Sequence, residues 1–131
     1  MKKLVIVLAV LAVILVGAYY LHFEPMAKAN DLIKEGGQLC GQNQNEAAIE
    51  AYNKAIELYP ESAGAYNNKA VALCNLGKYD EAVAAFDKVI GLVPDNASVY
   101  YGKGTALREL GKENEAQAAF NKAKEIDPNM K

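Results

Sequence analysis

The chain has 131 residues, with 16 acidic and 14 basic side chains, one histidine and a formal charge of −2. That is room for one domain with something attached, and it lacks the basic stripe that a nucleic-acid surface requires. The charge is uneven: residues 1–23 hold two lysines, His22 and no acid, and the remainder is acidic on balance.

Lys2 and Lys3 precede twenty residues, Leu4 to Phe23, in which only His22 can ionise. As a helix this run spans roughly 30 Å, the thickness of a hydrocarbon core. Tyr19, Tyr20 and His22 sit where amphipathic rings settle at a membrane interface, and lysines ahead of the span favour an inside amino end. The expectation is a single-pass anchor over 1–24, with the rest of the chain on the extracytoplasmic side. The competing reading is a cleaved secretory signal, for which Val16-Gly17-Ala18 and Ala27-Lys28-Ala29 offer small residues. Against it, the apolar run exceeds the usual ~7–15 residues, and bulky Tyr19-Tyr20 would follow the first cut. No small-xxx-small pair marks the span as a dimerisation face. Glu24-Pro25 predicts a bend, followed by a helix through Cys40.

From residue 29 the chain repeats itself every 34 residues: 29–62, 63–96 and 97–130 abut without a gap. A large apolar residue stands fourth (Leu32, Tyr66, Tyr100), a small one eighth (Gly36, Ala70, Gly104) and leucine eleventh (Leu39, Leu73, Leu107). After a turn come Ala48, Ala82 and Ala116, an aromatic four later (Tyr52, Phe86, Phe120), and then Ala55, Val89 and Ala123. Pro60, Pro94 and Pro128 close the copies. Offsets of 3, 4 and 7 place such residues on one helical face, so each copy is predicted as two antiparallel helices. The first members run 30–41, 64–76 and 98–110; the second run 45–58, 79–92 and 113–126. Gly77 and Gly111 end first helices, and Asn43, at the same place in the first copy, tolerates the same left-handed backbone. Acids Glu46, Asp80, Glu81, Glu113 and Glu115 open second helices at the positive end of the dipole. At two further places the first two copies are apolar (Ile49 and Ile56, Val83 and Ile90) while the third is polar (Gln117, Lys124). A neighbour is expected to cover the first two pairs and none the third, so the array is expected to stop after three copies.

This pattern resembles the tetratricopeptide repeat family over residues 29–130, clearest in Tyr100, Lys103, Gly104, Leu107, Ala116, Phe120 and Pro128. The departures are charge at the seventh position (Glu35, Lys69, Lys103), Asn43 in the turn, and Val89 in place of alanine, which is expected to loosen one contact. The resemblance implies an all-α fold: an α-solenoid of three helix-turn-helix repeats, preceded here by one transmembrane helix.

Chemistry is sparse. His22 reads as an interfacial ring, and no hydroxyl has a base at a recognisable spacing. Cys40 and Cys74 occupy the same place in adjacent copies. Helix axes roughly 8–10 Å apart are too distant for a disulfide, which needs Cα atoms within about 7 Å, so free thiols are expected. Two thiols alone make no metal site. No enzyme activity, cofactor, metal, nucleic acid or small-molecule substrate is expected.

The family resemblance further implies a concave groove lined by the first helices. The implied lining is Asn30, Ile33, Gly37 and Cys40; Gly64, Asn67, Val71 and Cys74; Ser98, Tyr101, Thr105 and Arg108. This set is small and mostly uncharged, suited to a peptide segment or helix of another protein. Tyr101 and Arg108 are of the types that carry interface energy. Chaperone-binding members of the family clamp a terminal carboxylate with two lysines, an arginine and two asparagines. The corresponding residues are Ile33, Gly37, Asn68, Ser98 and Gly102, of which only Asn68 matches, so that use is not expected. The function expected is a membrane-tethered protein–protein interaction scaffold. The alternative is a structural subunit of a membrane complex, packed through its convex or end surfaces.

Overall fold

The computed structural model describes residues 1–130, and all the regular structure among them is helical. Six helices follow in order: α1 (Lys2–Gly41), α2 (Asn45–Leu58), α3 (Ala63–Asn75), α4 (Tyr79–Leu92), α5 (Ala97–Glu109) and α6 (Glu113–Ile126). The boundaries of α2, α4 and α6 are those expected from the periodicity, and α3 and α5 begin and end one residue early.

No break separates the leader from the array at Glu24-Pro25. Pro25 lies inside one 40-residue helix that joins the apolar leader to the first helix of the array. Proline removes a single backbone donor and crowds the preceding turn. Here the helix is carried across it by long regular runs on both sides, and a 2.8 Å Lys28–Glu24 ion pair bridges the same turn.

Three tight turns reverse the chain within the pairs. Asn43 (φ 59°), Gly77 (φ 71°) and Gly111 (φ 76°) take the left-handed backbone. The amides that follow, on Gln44, Lys78 and Lys112, each donate at 2.9 Å to the carbonyls of Leu39, Leu73 and Leu107. This is a Schellman closure, which satisfies carbonyls orphaned at a helix end. Between pairs the chain reverses differently. Ser62 Oγ accepts from the Ala65 amide at 3.3 Å and Asn96 Oδ1 from the Val99 amide at 3.4 Å, capping α3 and α5. Serine and asparagine just ahead of a helix are the ordinary sequence signal for such caps.

The pairs interlock through the aromatic of each second helix. A Cβ added at Gly36 would run into the Tyr52 ring, one at Gly102 would lie 2.7 Å from Phe86, and one at Gly104 2.7 Å from Phe120. Small residues are therefore required there so that backbone and ring can touch. The residues expected between copies are found there: Ile49 and Ile56 pack towards α3, and Val83 and Ile90 towards α5. Val89 loosens nothing; it is 3 % exposed within the largest core cluster, beside Leu73 and Val99. The charge at the seventh position also has a role, because Lys103 reaches back to Asp87 at 2.6 Å, pinning α5 to α4.

The direction of curvature follows from which helices meet. The backbone of α1 closely approaches that of α3, and α3 that of α5, whereas the backbones of α2 and α4 stay apart. The odd-numbered helices therefore lie on the inside of the bend, and the even-numbered ones splay on the outside.

Candidate functional site: the concave face and its open end

Of the residues expected on the inner face, Gly37, Val71, Ser98, Tyr101 and Arg108 are exposed, and Asn67 and Thr105 half-buried. Ile33, Cys40 and Cys74 are less available. Ile33 packs between repeats against Ala65 and Ala72. The Tyr52 hydroxyl donates to the Cys40 Sγ at 3.7 Å. Burial pushes the Cys74 thiol above its usual pKa, keeping it protonated and unreactive at neutral pH. Both thiols are free, as expected. Burial, followed by the bond to Cys40, also raises the Tyr52 phenol well above its ordinary value.

Tyr101 and Arg108 act together. The Tyr101 ring lies 5.2 Å from the Phe120 ring, and the Arg108 guanidinium carbon 5.4 Å from the same ring centre. A guanidinium over a ring face at that distance is a cation–π contact. The Thr105 hydroxyl donates to the Tyr101 carbonyl at 3.1 Å along the same helix. Tyr101, Arg108, Gln117, Phe120, Lys124 and Met130 line a shallow cavity of about 190 Å³ at the α5–α6 end of the array. Phe120 was read only as core, since its spacing matches Tyr52 and Phe86. The signal that it is part of a surface was the polar pair Gln117 and Lys124, which leaves no neighbour to cover the ring.

The opposite end is also polar. Where α3 and α5 bury Ala65 and Val99, α1 exposes Asp31, and where they bury Ala72 and Ala106 it exposes Gln38.

Helix pairs in tandem, closed by matching left-handed turns and locked ring against small residue, are the architecture of one family, and the comparisons agree. The profile described as tetratricopeptide repeat matches residues 39–97 and 73–131. The chain belongs to the tetratricopeptide repeat family. Among curated proteins it is 47 % identical over 49 residues to the small glutamine-rich tetratricopeptide repeat-containing protein 2 of Mycosarcoma maydis. That stretch is 37 % of this chain and only 14 % of the fungal protein. Among solved structures it superposes on the Arabidopsis OM64 TPR domain with a TM-score of 0.79 at 28 % identity, covering 82 % of this chain and 88 % of that one. The first TPR of Spaghetti (RPAP3), bound to the HSP90 peptide SRMEEVD, gives 0.78 at 26 % identity, covering 80 % and 83 %. The MamA protein gives 0.74 at 29 % identity, covering 77 % and 55 %.

Tetratricopeptide repeats mediate protein–protein interaction, and the RPAP3 domain holds a peptide. Of α1, what can be stated is that it is long and apolar enough to cross a membrane, with none of its most apolar 18-residue window buried.

Proposed function

We propose that this chain is a membrane-tethered scaffold whose three repeats, 29–62, 63–96 and 97–130, hold a segment of a partner protein against the concave face. The observation that carries the reading is the pairing of exposed Tyr101 and Arg108 over Phe120 at the open end of that face. An aromatic and an arginine held in place by a third side chain form a preorganised anchor. Exposed Val71 extends the apolar track along α3.

The RPAP3 domain supports a peptide as the class of ligand, but this chain lacks its relatives' means of gripping a terminal carboxylate. Ile33, Gly37, Ser98 and Gly102 stand where cations or asparagine would be needed, so an internal segment or a helix is the better fit. The anchor is residues 4–23, amino end inside and repeats outside, as Lys2 and Lys3 direct. Retention of the leader is supported by Ala29. It is wholly buried in the core of the first helix pair, so a cut after it would remove a packed residue from the array.

The test is capture from native membranes by the full chain in mild detergent. Tyr101→Ala and Arg108→Ala are each expected to weaken capture by about tenfold or more, with helical circular dichroism unchanged. Undiminished capture by both variants would move the binding surface elsewhere. Intact mass and resistance to alkaline extraction check the anchor independently.

A further inference from the structure

We infer that the edge of the array carrying the inter-repeat turns rests in the headgroup layer of the membrane that α1 crosses. The surface it meets there is that of zwitterionic lipid. The inference deepens the reading of residues 4–23 as an anchor and rests on it.

Continuity of α1 fixes the height of the array. From Phe23, the end of the apolar run, to Ala29, the first residue buried in the array, the helix rises roughly 9 Å. The headgroup layer on each side of the hydrocarbon is roughly 5–8 Å deep. Ala29 therefore stands at the outer limit of the headgroups, and the end of α2, which reaches back along α1 to Glu24 and Pro25, stands within them, with no flexible linker to lift it away. The side chains agree: Leu58, at the end of α2, lines a cleft with Tyr20, Leu21, Glu24, Pro25 and Lys28. Tyr20 and Leu21 belong to the apolar run itself, so Leu58 stands at the level of the interface.

Three of the exposed large apolar side chains lie on that edge. Among the described residues after Phe23, the large hydrophobics left exposed are Leu58, Val71, Leu92, Val93 and Tyr101. Val71 and Tyr101 belong to the concave face. The other three end α2 and α4 or begin the turns after them, on the side from which α1 departs. Leu58 and Leu92 hold the same place in their repeats, and exposed Pro60 and Pro94 follow, with no backbone donor to leave unsatisfied in a poorly hydrated layer. The far edge, roughly 20 Å away along α3, is built oppositely: Gln42, Asn43 and Gln44, then Gly77-Lys78 and Gly111-Lys112, all exposed. Of the two edges, only the one nearer the apolar run carries exposed large apolar residues, as a surface set against lipid headgroups would. The acids Glu57, Glu61 and Asp95 among them are repelled by anionic headgroups, which leaves a zwitterionic surface.

The chain has no tryptophan, so one introduced indole reports depth alone. Ile14→Trp, Leu58→Trp, Leu92→Trp and Lys78→Trp all alter exposed positions. Each full-length variant is reconstituted into phosphatidylcholine vesicles whose lipids carry bromine high on the acyl chain. Ile14→Trp, Leu58→Trp and Leu92→Trp are expected to lose about half or more of their fluorescence, and Lys78→Trp, beyond reach of the bilayer, almost none. Adding anionic phospholipid should lessen quenching at Leu92→Trp and leave Ile14→Trp unchanged. If Ile14→Trp is quenched while both edge variants behave like Lys78→Trp, the anchor stands and the edge contact is overturned. Edge indoles that are unquenched yet blue-shifted overturn it too, by burying that edge against protein, this chain or a second copy, rather than lipid. An unquenched Ile14→Trp overturns the anchor and the edge contact together. Quenching at Leu92→Trp that grows with anionic lipid overturns the choice of surface.

Discussion

Phe86 and Phe120 are the same residue at the same place in successive repeats, yet they do different things. Phe86 is 3 % exposed, packed beside Ala70 in its own repeat and against Gly102 of the next. Phe120 meets Gly104 in the same way, but among the described residues no helix follows to cover its other side, and Tyr101 and Arg108 fold onto it instead. A ring that locks two repeats together in the interior becomes, at the end of the array, a platform for surface side chains. Local sequence dictates the ring; the neighbour dictates whether it is core or surface.

The sharpest way to break this comparison is to remove both rings in turn. Phe86→Ala is expected to destabilise the array by about 3–5 kcal/mol, as loss of a fully packed aromatic does. Phe120→Ala should cost about 1–2 kcal/mol, since part of its surface is already in water. Urea unfolding in mild detergent measures both, and equal losses would mean that Phe120 is as enclosed as Phe86. The same contrast should appear, smaller, at the glycines. Gly36→Ala drives a Cβ into the fully buried Tyr52 ring, a loss of about 1–3 kcal/mol by overpacking. Gly104→Ala meets a ring that can swing outward, so its loss should fall below about 1 kcal/mol.

The smallest effect concerns the odd member of the aromatic series. Tyr52 is the one ring with a hydroxyl, and burial together with Cys40 raises its pKa. The folded state holds the proton more tightly than the unfolded chain, whose phenol titrates near 10. Its contribution is therefore complete below about pH 10 and falls as pH rises above that value. Tyr52→Phe makes the first repeat like the other two and should flatten the alkaline limb of the stability profile, with little change at pH 7. An unaltered alkaline limb would show that Tyr52 is not the group responsible.

Much of this architecture was legible because the 34-residue period constrains each position three times over. Asn43 was readable as a left-handed turn residue only because Gly77 and Gly111 stand at the same place, and the polar Gln117 and Lys124 stood out only against their apolar counterparts. Three features were hidden. The helix through Pro25 was missed because a local rule about proline says nothing of the long helical runs on either side. Val89 was misjudged because the space for a larger side chain depends on Val99 and Leu73 from other helices. Ile33 was placed in the groove by its number within the repeat, but the approach of α3 half-buries it.

Sequence by itself determined the helical pairs, their turns and the small residues that admit each ring, because those depend on periodicity, backbone conformation and side-chain volume along one stretch of chain. Tertiary structure alone decided that the odd-numbered helices line the inside of the curve, that Tyr101 and Arg108 meet over Phe120, and that Leu58 shares a cleft with Tyr20, Leu21 and Pro25. Those are relations between segments distant in the chain, set by how the pairs tilt against one another when their side chains interlock.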